Sequence, residues 1–198
     1  MRAQRLAVRW YAREVPGPRP PRVERAYGRA IRAWSRALER PGPGAELAHL
    51  RLGTLLWSER DGEGAAEQLE EALLEGLAGD DAAKAQVVLG DLAFEAGDVA
   101  GAAPYYDEAV AAGGPMADYA RYKRAWCAYD LDDVEAAAAD AVVLAQGDGA
   151  IADEARRDLA RFVAFTPDAD VAVWLGRACG ADAACLDAGW ADVGRLRD

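Results

Sequence analysis

The fold is decided by residues 83–116, AKAQVVLGDLAFEAGDVAGAAPYYDEAVAAGGPM. Small residues recur at helical intervals on both sides of Gly97-Asp98, and bulky residues fill the positions between them. The positions that define the pattern are Leu89-Gly90, Phe94, Ala102, Tyr106 and Ala109. These intervals predict two antiparallel helices that cross closely at their small residues and are joined by a tight turn at Gly97.

The same pattern recurs along the chain with a period of about 34–37 residues. The preceding copy has Leu52-Gly53, Trp57, Asp61, Ala65, Leu69 and Ala72. The following copy has Ala125, Tyr129, Asp132-Asp133, Ala137 and Ala141, and a fainter one has Ala160, Pro167-Asp168, Ala172 and Cys179. A self-similar period of this length is typical of solenoids built from helical hairpins.

These residues resemble the tetratricopeptide repeat pattern, which has a small residue at position 8, an aromatic residue at 24 and alanines at 20 and 27. The resemblance covers about residues 46–180. It implies an all-α, right-handed superhelical solenoid of antiparallel helix hairpins. The repeat region, residues 45–180, is predicted to contain copies at 46–82, 83–117, 118–152 and 153–180.

Both ends of the array are predicted to be capping elements, because an uncapped solenoid end exposes apolar surface. Residues 1–44 are expected to form a divergent N-terminal hairpin of helices 2–14 and 23–40, and residues 181–198 a C-terminal capping helix at about 183–196. The repeats between the caps are predicted as helix pairs 45–59 with 63–77, 82–95 with 99–112, 116–129 with 133–146, and 151–165 with 169–179.

Charge is distributed unevenly along the chain, whose net charge is −11. Residues 1–40 hold 11 Arg and 3 Glu, a net of +8, so the remainder carries a net of −19. An acidic body argues against general nucleic-acid binding. An arginine stripe on helix 23–40 is predicted either to dock on an acidic partner or to be a solvated face. Its members are Arg22, Arg25, Arg29, Arg32, Arg36 and Arg40.

The expected compartment follows from the N-terminus and from a second resemblance. No apolar run approaches the ~20 residues needed to span a bilayer, and the N-terminus lacks the apolar core of a signal peptide. As written, the chain is therefore expected to be cytoplasmic, without membrane insertion. Residues 119–137 with 153–162 are also similar to envelope-associated repeat proteins of Gram-negative bacteria, which implies the periplasm if the chain is a trimmed mature fragment.

Residues suited to catalysis or metal binding do not converge in the sequence. His49 is the single histidine and has no visible partner for general-base or metal chemistry. Asp130, Asp132 and Asp133 resemble the start of a calcium loop, but Ala141 stands where the closing Glu is required. The sequence predicts no metal, no cofactor and no enzymatic activity.

The three cysteines are predicted to play different parts. Cys127 lies in the middle of a helix, where a buried free thiol is the default. Cys179 and Cys185 are too far apart to bridge within one continuous helix. Gly180 is predicted to break that helix, so the two thiols either form a disulfide across the turn or pack as free thiols. A disulfide would imply an oxidising compartment.

The tetratricopeptide resemblance implies that the first helix of each hairpin lines a concave groove. The groove residues it implies are Trp57, Asp91, Phe94, Tyr119, Tyr122, Trp126, Tyr129, Arg157 and Arg161. Aromatic and arginine side chains are favoured binding anchors, so we predict an adaptor or scaffold that holds a peptide or protein segment. The alternatives are a structural subunit that docks through the basic N-terminal end, including on another copy, and an accessory module of an enzyme complex.

Overall fold

A computed structural model describes residues 20–40, 42–148 and 150–198, and all regular structure within these ranges is helical. The helices are α1 (Pro21–Leu38), α2 (Ala45–Ser58), α3 (Gly62–Leu74), α4 (Gly79–Glu95), α5 (Val99–Ala112), α6 (Ala117–Asp130), α7 (Val134–Ala145), α8 (Ala150–Val163), α9 (Asp168–Cys179) and α10 (Ala183–Arg197). A 3-10 turn, Gly114–Met116, precedes α6. The all-α prediction is confirmed for the described ranges, and the helix predicted at residues 2–14 lies outside them.

The chain divides into two compact units, residues 1–77 and residues 78–198. In the first unit α1 packs on α2, and α2 forms a hairpin with α3. In the second unit each helix from α4 to α9 packs on the next one along the chain, and α10 packs on α8 and α9. No described helix is both long enough and apolar enough to cross a membrane.

The hairpin turns repeat one local device. The residue before the turn aspartate has a left-handed backbone, with φ of 65° at Arg60, 84° at Gly97 and 63° at Asp132. The aspartate that follows then caps the second helix, accepting a hydrogen bond from the backbone N–H three residues later. The donor–acceptor distances are 3.0 Å for Asp61, 2.8 Å for Asp98 and 3.0 Å for Asp133. Asp133, which resembled part of a calcium loop, is thus occupied as a helix cap.

Glycines mark the points where paired helices cross most closely. A Cβ on Gly53 would lie 2.8 Å from Leu69 Cγ, and a Cβ on Gly90 would lie 2.7 Å from Tyr106 Cε1. Leu69 and Tyr106 are fully buried. The missing side chain of each glycine is therefore the space that the bulky residue of the second helix fills, which is the spacing that the sequence pattern predicts.

Helix α10 is held to the preceding hairpin at both ends. A disulfide joins Cys179 to Cys185, whose Cα atoms are 5.6 Å apart, across the turn that Gly180 makes between α9 and α10. At the other end, Arg197 donates to the backbone oxygens of Ala164 and Thr166 and pairs with Asp168. Val193 is buried in the core between these anchors. Helix α10 is thus fastened to α8 and α9 at both of its ends.

Candidate functional site

The aromatic face of α6 divides into a buried half and a half-exposed half. Tyr119 and Tyr122 are only 5% and 4% exposed, whereas Trp126 and Tyr129 are half-buried. All four follow one another at intervals of three or four residues and share one helix face, as predicted. The two halves therefore differ in depth, and only the C-terminal half of this face reaches solvent.

Asp91 on α4 is the acceptor at the centre of the buried half. It receives hydrogen bonds from the hydroxyl of Tyr106 on α5 at 2.7 Å and from the hydroxyl of Tyr119 on α6 at 2.9 Å. Lys123 Nζ lies 3.2 Å from the same carboxylate, and the lysine and the aspartate are 1% and 2% exposed. One buried carboxylate on α4 thus joins three consecutive helices, because its partners come from α5 and α6. Hydrogen bonds to a charged acceptor are stronger than those between neutral groups.

Three of the predicted groove residues, Asp91, Tyr119 and Tyr122, are buried, and their polar atoms have partners inside the protein. Asp91 and Tyr119 are bonded to each other, and Tyr122 donates to Asp158 on α8 at 2.8 Å. A buried polar group that already has a partner gains little from a second one. These three residues therefore hold the helices together, since their polar atoms are used inside the protein.

Lys123 was absent from the predicted site, although it completes the network. Its ammonium group lies 4.2 Å from the ring centroid of Phe94 and 5.8 Å from that of Tyr106, in addition to its pairing with Asp91. Cation–π contacts of this kind are strongest where water is excluded. A signal was present in the sequence: Lys123 is one of only two lysines among 23 basic residues.

Asp158 lies at the boundary between the buried and the half-exposed halves. Burial raises its pKa above the ordinary value, while the hydrogen bond from Tyr122 acts in the opposite direction. Burial and the nearby carboxylate also raise the pKa of the Tyr122 hydroxyl. The indole Nε1 of Trp126 is buried beside this pair without a hydrogen bond of good geometry, yet its dipole still favours the Asp158 carboxylate.

The raised pKa of Asp158 predicts a stability penalty that depends on pH. The folded state binds this proton more tightly than the unfolded state, so stability falls as the pH rises from the ordinary value of 3.8 through the raised pKa. Asp158→Asn is expected to remove this penalty, so its unfolding free energy should exceed that of the wild type at neutral pH and converge with it below pH 3.8. Urea unfolding at several pH values measures the difference, and a parallel pH dependence in both proteins would contradict this assignment.

The half-exposed half forms a surface that we call the aromatic wall, made of Trp126, Tyr129 and Arg161. The ring centroids of Trp126 and Tyr129 lie 5.1 Å and 4.9 Å from that of the buried Phe162, which fixes both rings. The Arg161 guanidinium lies over Trp126, 5.5 Å from the ring centroid. Among the described residues the Arg161 guanidinium has no hydrogen-bond acceptor, and its charge acts on the nearby Asp158 carboxylate, whose pKa it lowers.

The remaining predicted groove residues lie around or apart from this wall. Arg157 is exposed and pairs with Glu154 on the same helix. Phe94 is half-buried beneath Lys123. Trp57 is half-buried on α2, in the first unit.

A second polar cluster, which the sequence did not reveal, joins the other side of α6 to its neighbours. Arg124 donates two hydrogen bonds to Asp140 on α7, both at 2.7 Å, and one to Asp107 on α5 at 2.9 Å. These bonds raise the pKa of the guanidinium further, so it stays charged. Because every group in this cluster already has a partner within the protein, it stabilises the packing of α5, α6 and α7.

The other predicted residues have structural partners or lie on the surface. His49 Nδ1 is 3.0 Å from Gln68 Oε1, which places the imidazole between α2 and α3. Cys127 is a buried free thiol, and burial raises its pKa to about 12, which suppresses the reactive thiolate. The arginines of α1 are exposed on one helix face. Within the described ranges no three metal-ligating side chains converge.

Comparison with known proteins gives matches at the level of family and fold. A family model described as tetratricopeptide repeat matches residues 24–83 and 87–151. Among solved structures, the chain is similar to YrrB, described as a TPR protein with an unusual peptide-binding site. That match has a TM-score of 0.61 and 17% sequence identity over 85% of this chain and 86% of YrrB. No curated protein matches significantly.

Proposed function

Because the chain belongs to the tetratricopeptide repeat family of protein-interaction modules, we propose that it is a non-enzymatic adaptor whose aromatic wall holds a peptide or protein segment. The wall combines the residue types that most often dominate binding energy, tryptophan, tyrosine and arginine. Arg157, which is exposed, lies one helical turn before Arg161 on α8. The description of YrrB as having a peptide-binding site supports the same class of ligand.

The observation that carries this proposal is the stacking of Arg161 on Trp126. An arginine held over an aromatic ring by a cation–π contact has lost part of its side-chain freedom before any ligand arrives, so less entropy remains to be lost on binding. Its donors are free to bond a carboxylate or a backbone carbonyl. Trp126 and Tyr129 beside it supply an apolar surface for a side chain of the same segment.

Trp126→Ala is expected to weaken peptide binding at least about thirtyfold, since truncation of a central anchor typically costs 2 kcal/mol or more. Peptides selected from a random phage-displayed library on the full chain, then synthesised, provide the ligands for calorimetry. Arg161→Gln is a second variant that leaves the buried rings untouched, and it should weaken binding of carboxylate-bearing peptides about tenfold.

The chain offers a matched control for both substitutions. On α9 the Arg177 guanidinium lies over Trp174, 4.8 Å from its ring centroid, so Trp174→Ala and Arg177→Gln remove the same kind of arginine–tryptophan pair from a helix other than α6 and α8. These variants should bind the selected peptides like the wild type. Equal affinity of Trp126→Ala, Arg161→Gln and the wild type for every selected peptide would refute the aromatic wall as the binding site.

A further inference from the structure

One face of α1 is lined by arginines, and their side chains have no partner among the described residues. We call it the arginine face. Arg22, Arg25, Arg29, Arg32 and Arg36 are all exposed, and they lie opposite the face on which Tyr27, Ile31 and Leu38 are half-buried. Like charges three or four residues apart on a helix repel one another. This arginine face therefore carries a repulsion that an acidic partner would relieve.

Helix α3, in the same unit, presents a face of the opposite sign. Glu63, Glu67, Glu71 and Glu75 follow one another every four residues, are all exposed, and lie opposite the buried Ala65, Leu69 and Ala72. Leu74 lies within this glutamate face and is 79% exposed. Glutamates near the C-terminal end of a helix also oppose its dipole, so this face too would be stabilised by incoming cations.

We propose that two copies of this chain associate through these faces, with the arginine face of each copy on the glutamate face of the other. The two faces match in length, since the 14 steps from Arg22 to Arg36 and the 12 steps from Glu63 to Glu75 correspond to about 21 Å and 18 Å at the helical rise. Leu74 supplies apolar area at the contact. This contact uses surfaces other than the aromatic wall and goes beyond the proposed adaptor function.

A two-fold arrangement lets both contacts form at once. Helices α1 and α3 belong to the same unit, and both pack on α2. In the proposed dimer a two-fold axis places α1 of each copy opposite α3 of the other. Such an isologous contact closes on itself and produces a dimer, not a filament.

The charge of the rest of the chain favours a second copy over a nucleic acid as the occupant. Residues beyond position 40 carry a net of −19, which repels a polyanion at long range while the glutamate face attracts arginine. Exposed charge contacts are screened over about 10 Å at 0.1 M salt. The dimer is accordingly expected at low salt and should weaken as salt is added.

Sedimentation equilibrium of the full chain measures the dimer Kd in about 50 mM and about 0.5 M salt. The triple variant Arg25→Glu, Arg29→Glu, Arg32→Glu and the triple variant Glu63→Arg, Glu67→Arg, Glu71→Arg should each raise the dimer Kd at least about a hundredfold, since like charges then face each other. Circular dichroism verifies that both variants remain helical.

Two further samples distinguish specific pairing from a general effect of net charge. An equal mixture of the two triple variants restores opposite charges at both contacts and should form a one-to-one heterodimer. Glu108→Arg with Asp148→Arg and Asp187→Arg changes exposed acids elsewhere by the same net charge, and it should dimerise like the wild type. A wild type that stays monomeric at low salt, including one that binds duplex DNA instead, overturns the proposal, as does a mixture that fails to pair.

Discussion

Asp91→Ala is expected to lower the free energy of unfolding by about 3–5 kcal/mol, the range found when one partner of a buried ion pair is removed. The substitution leaves Lys123 Nζ without its carboxylate at a site that is 1% exposed, and it removes the acceptor of the Tyr106 and Tyr119 hydroxyls. Helices α4, α5 and α6 therefore lose the carboxylate that joins them. Chemical denaturation followed by circular dichroism measures the loss.

The lysine side of the pair offers a test of this explanation. Lys123→Met keeps the length of the side chain and leaves Asp91 accepting from both hydroxyls, so it should cost less than Asp91→Ala. Adding Lys123→Met to Asp91→Ala removes the stranded charge, and the double variant should be more stable than Asp91→Ala alone.

An exposed acid serves as the matched control. Asp107 pairs with Arg124 at 2.9 Å, but its side chain is 59% exposed, so Asp107→Ala should cost less than about 1 kcal/mol. If Asp91→Ala were no more destabilising than Asp107→Ala, the buried network would not be what joins α4, α5 and α6.

The sequence predicted the architecture because its signals are local. The Gly-Asp turn at Gly97 and its equivalents at Arg60 and Asp132 determine where each hairpin reverses, and the aspartate that follows each of them starts the next helix. Gly53 and Gly90 indicate where one helix crosses the next, because the bulky residue of the second helix fills the space beside each glycine. Spacing within some forty residues contains all of this information, so a single sequence was sufficient.

The spacing of residues in the sequence does not show how deeply each side chain is buried. Helical phase correctly placed Tyr119 and Trp126 on one face of α6, but it does not say how closely the next hairpin covers each turn of that face. Tyr122 is covered because Asp158, 36 residues further on, meets its hydroxyl. Lys123 was missed for the same reason, since its acceptor lies one hairpin earlier on α4.

Gly90→Ala is expected to destabilise the protein by about 3 kcal/mol, at the upper end of the usual cost of overpacking. The added Cβ would lie 2.7 Å and 2.9 Å from Cε1 and Cζ of Tyr106, closer than such atoms approach. Tyr106 is fully buried, and its hydroxyl is bonded to Asp91 at 2.7 Å. The ring therefore cannot withdraw without stretching the bond that Asp91 accepts.

A glycine with open space around it separates this clash from the general effect of adding a methyl group. Gly176 lies inside α9, and an added Cβ there would meet no atom within 4 Å. Gly176→Ala should therefore stabilise the protein by up to about 1 kcal/mol, through helix propensity alone. Thermal unfolding of both variants gives the comparison. Similar shifts for Gly90→Ala and Gly176→Ala would mean that α4 and α5 are not held at the observed separation.

A double variant shows whether the methyl group added at Gly90 clashes with Tyr106 itself. If the ring is what the new methyl group meets, Gly90→Ala should cost much less in a Tyr106→Leu background than in the wild type, because the smaller side chain has already vacated the space. An additive double variant would place the clash elsewhere. A strongly non-additive one would identify the Gly90–Tyr106 contact as the point that sets the crossing of α4 on α5, and with it the position of Asp91 against α6.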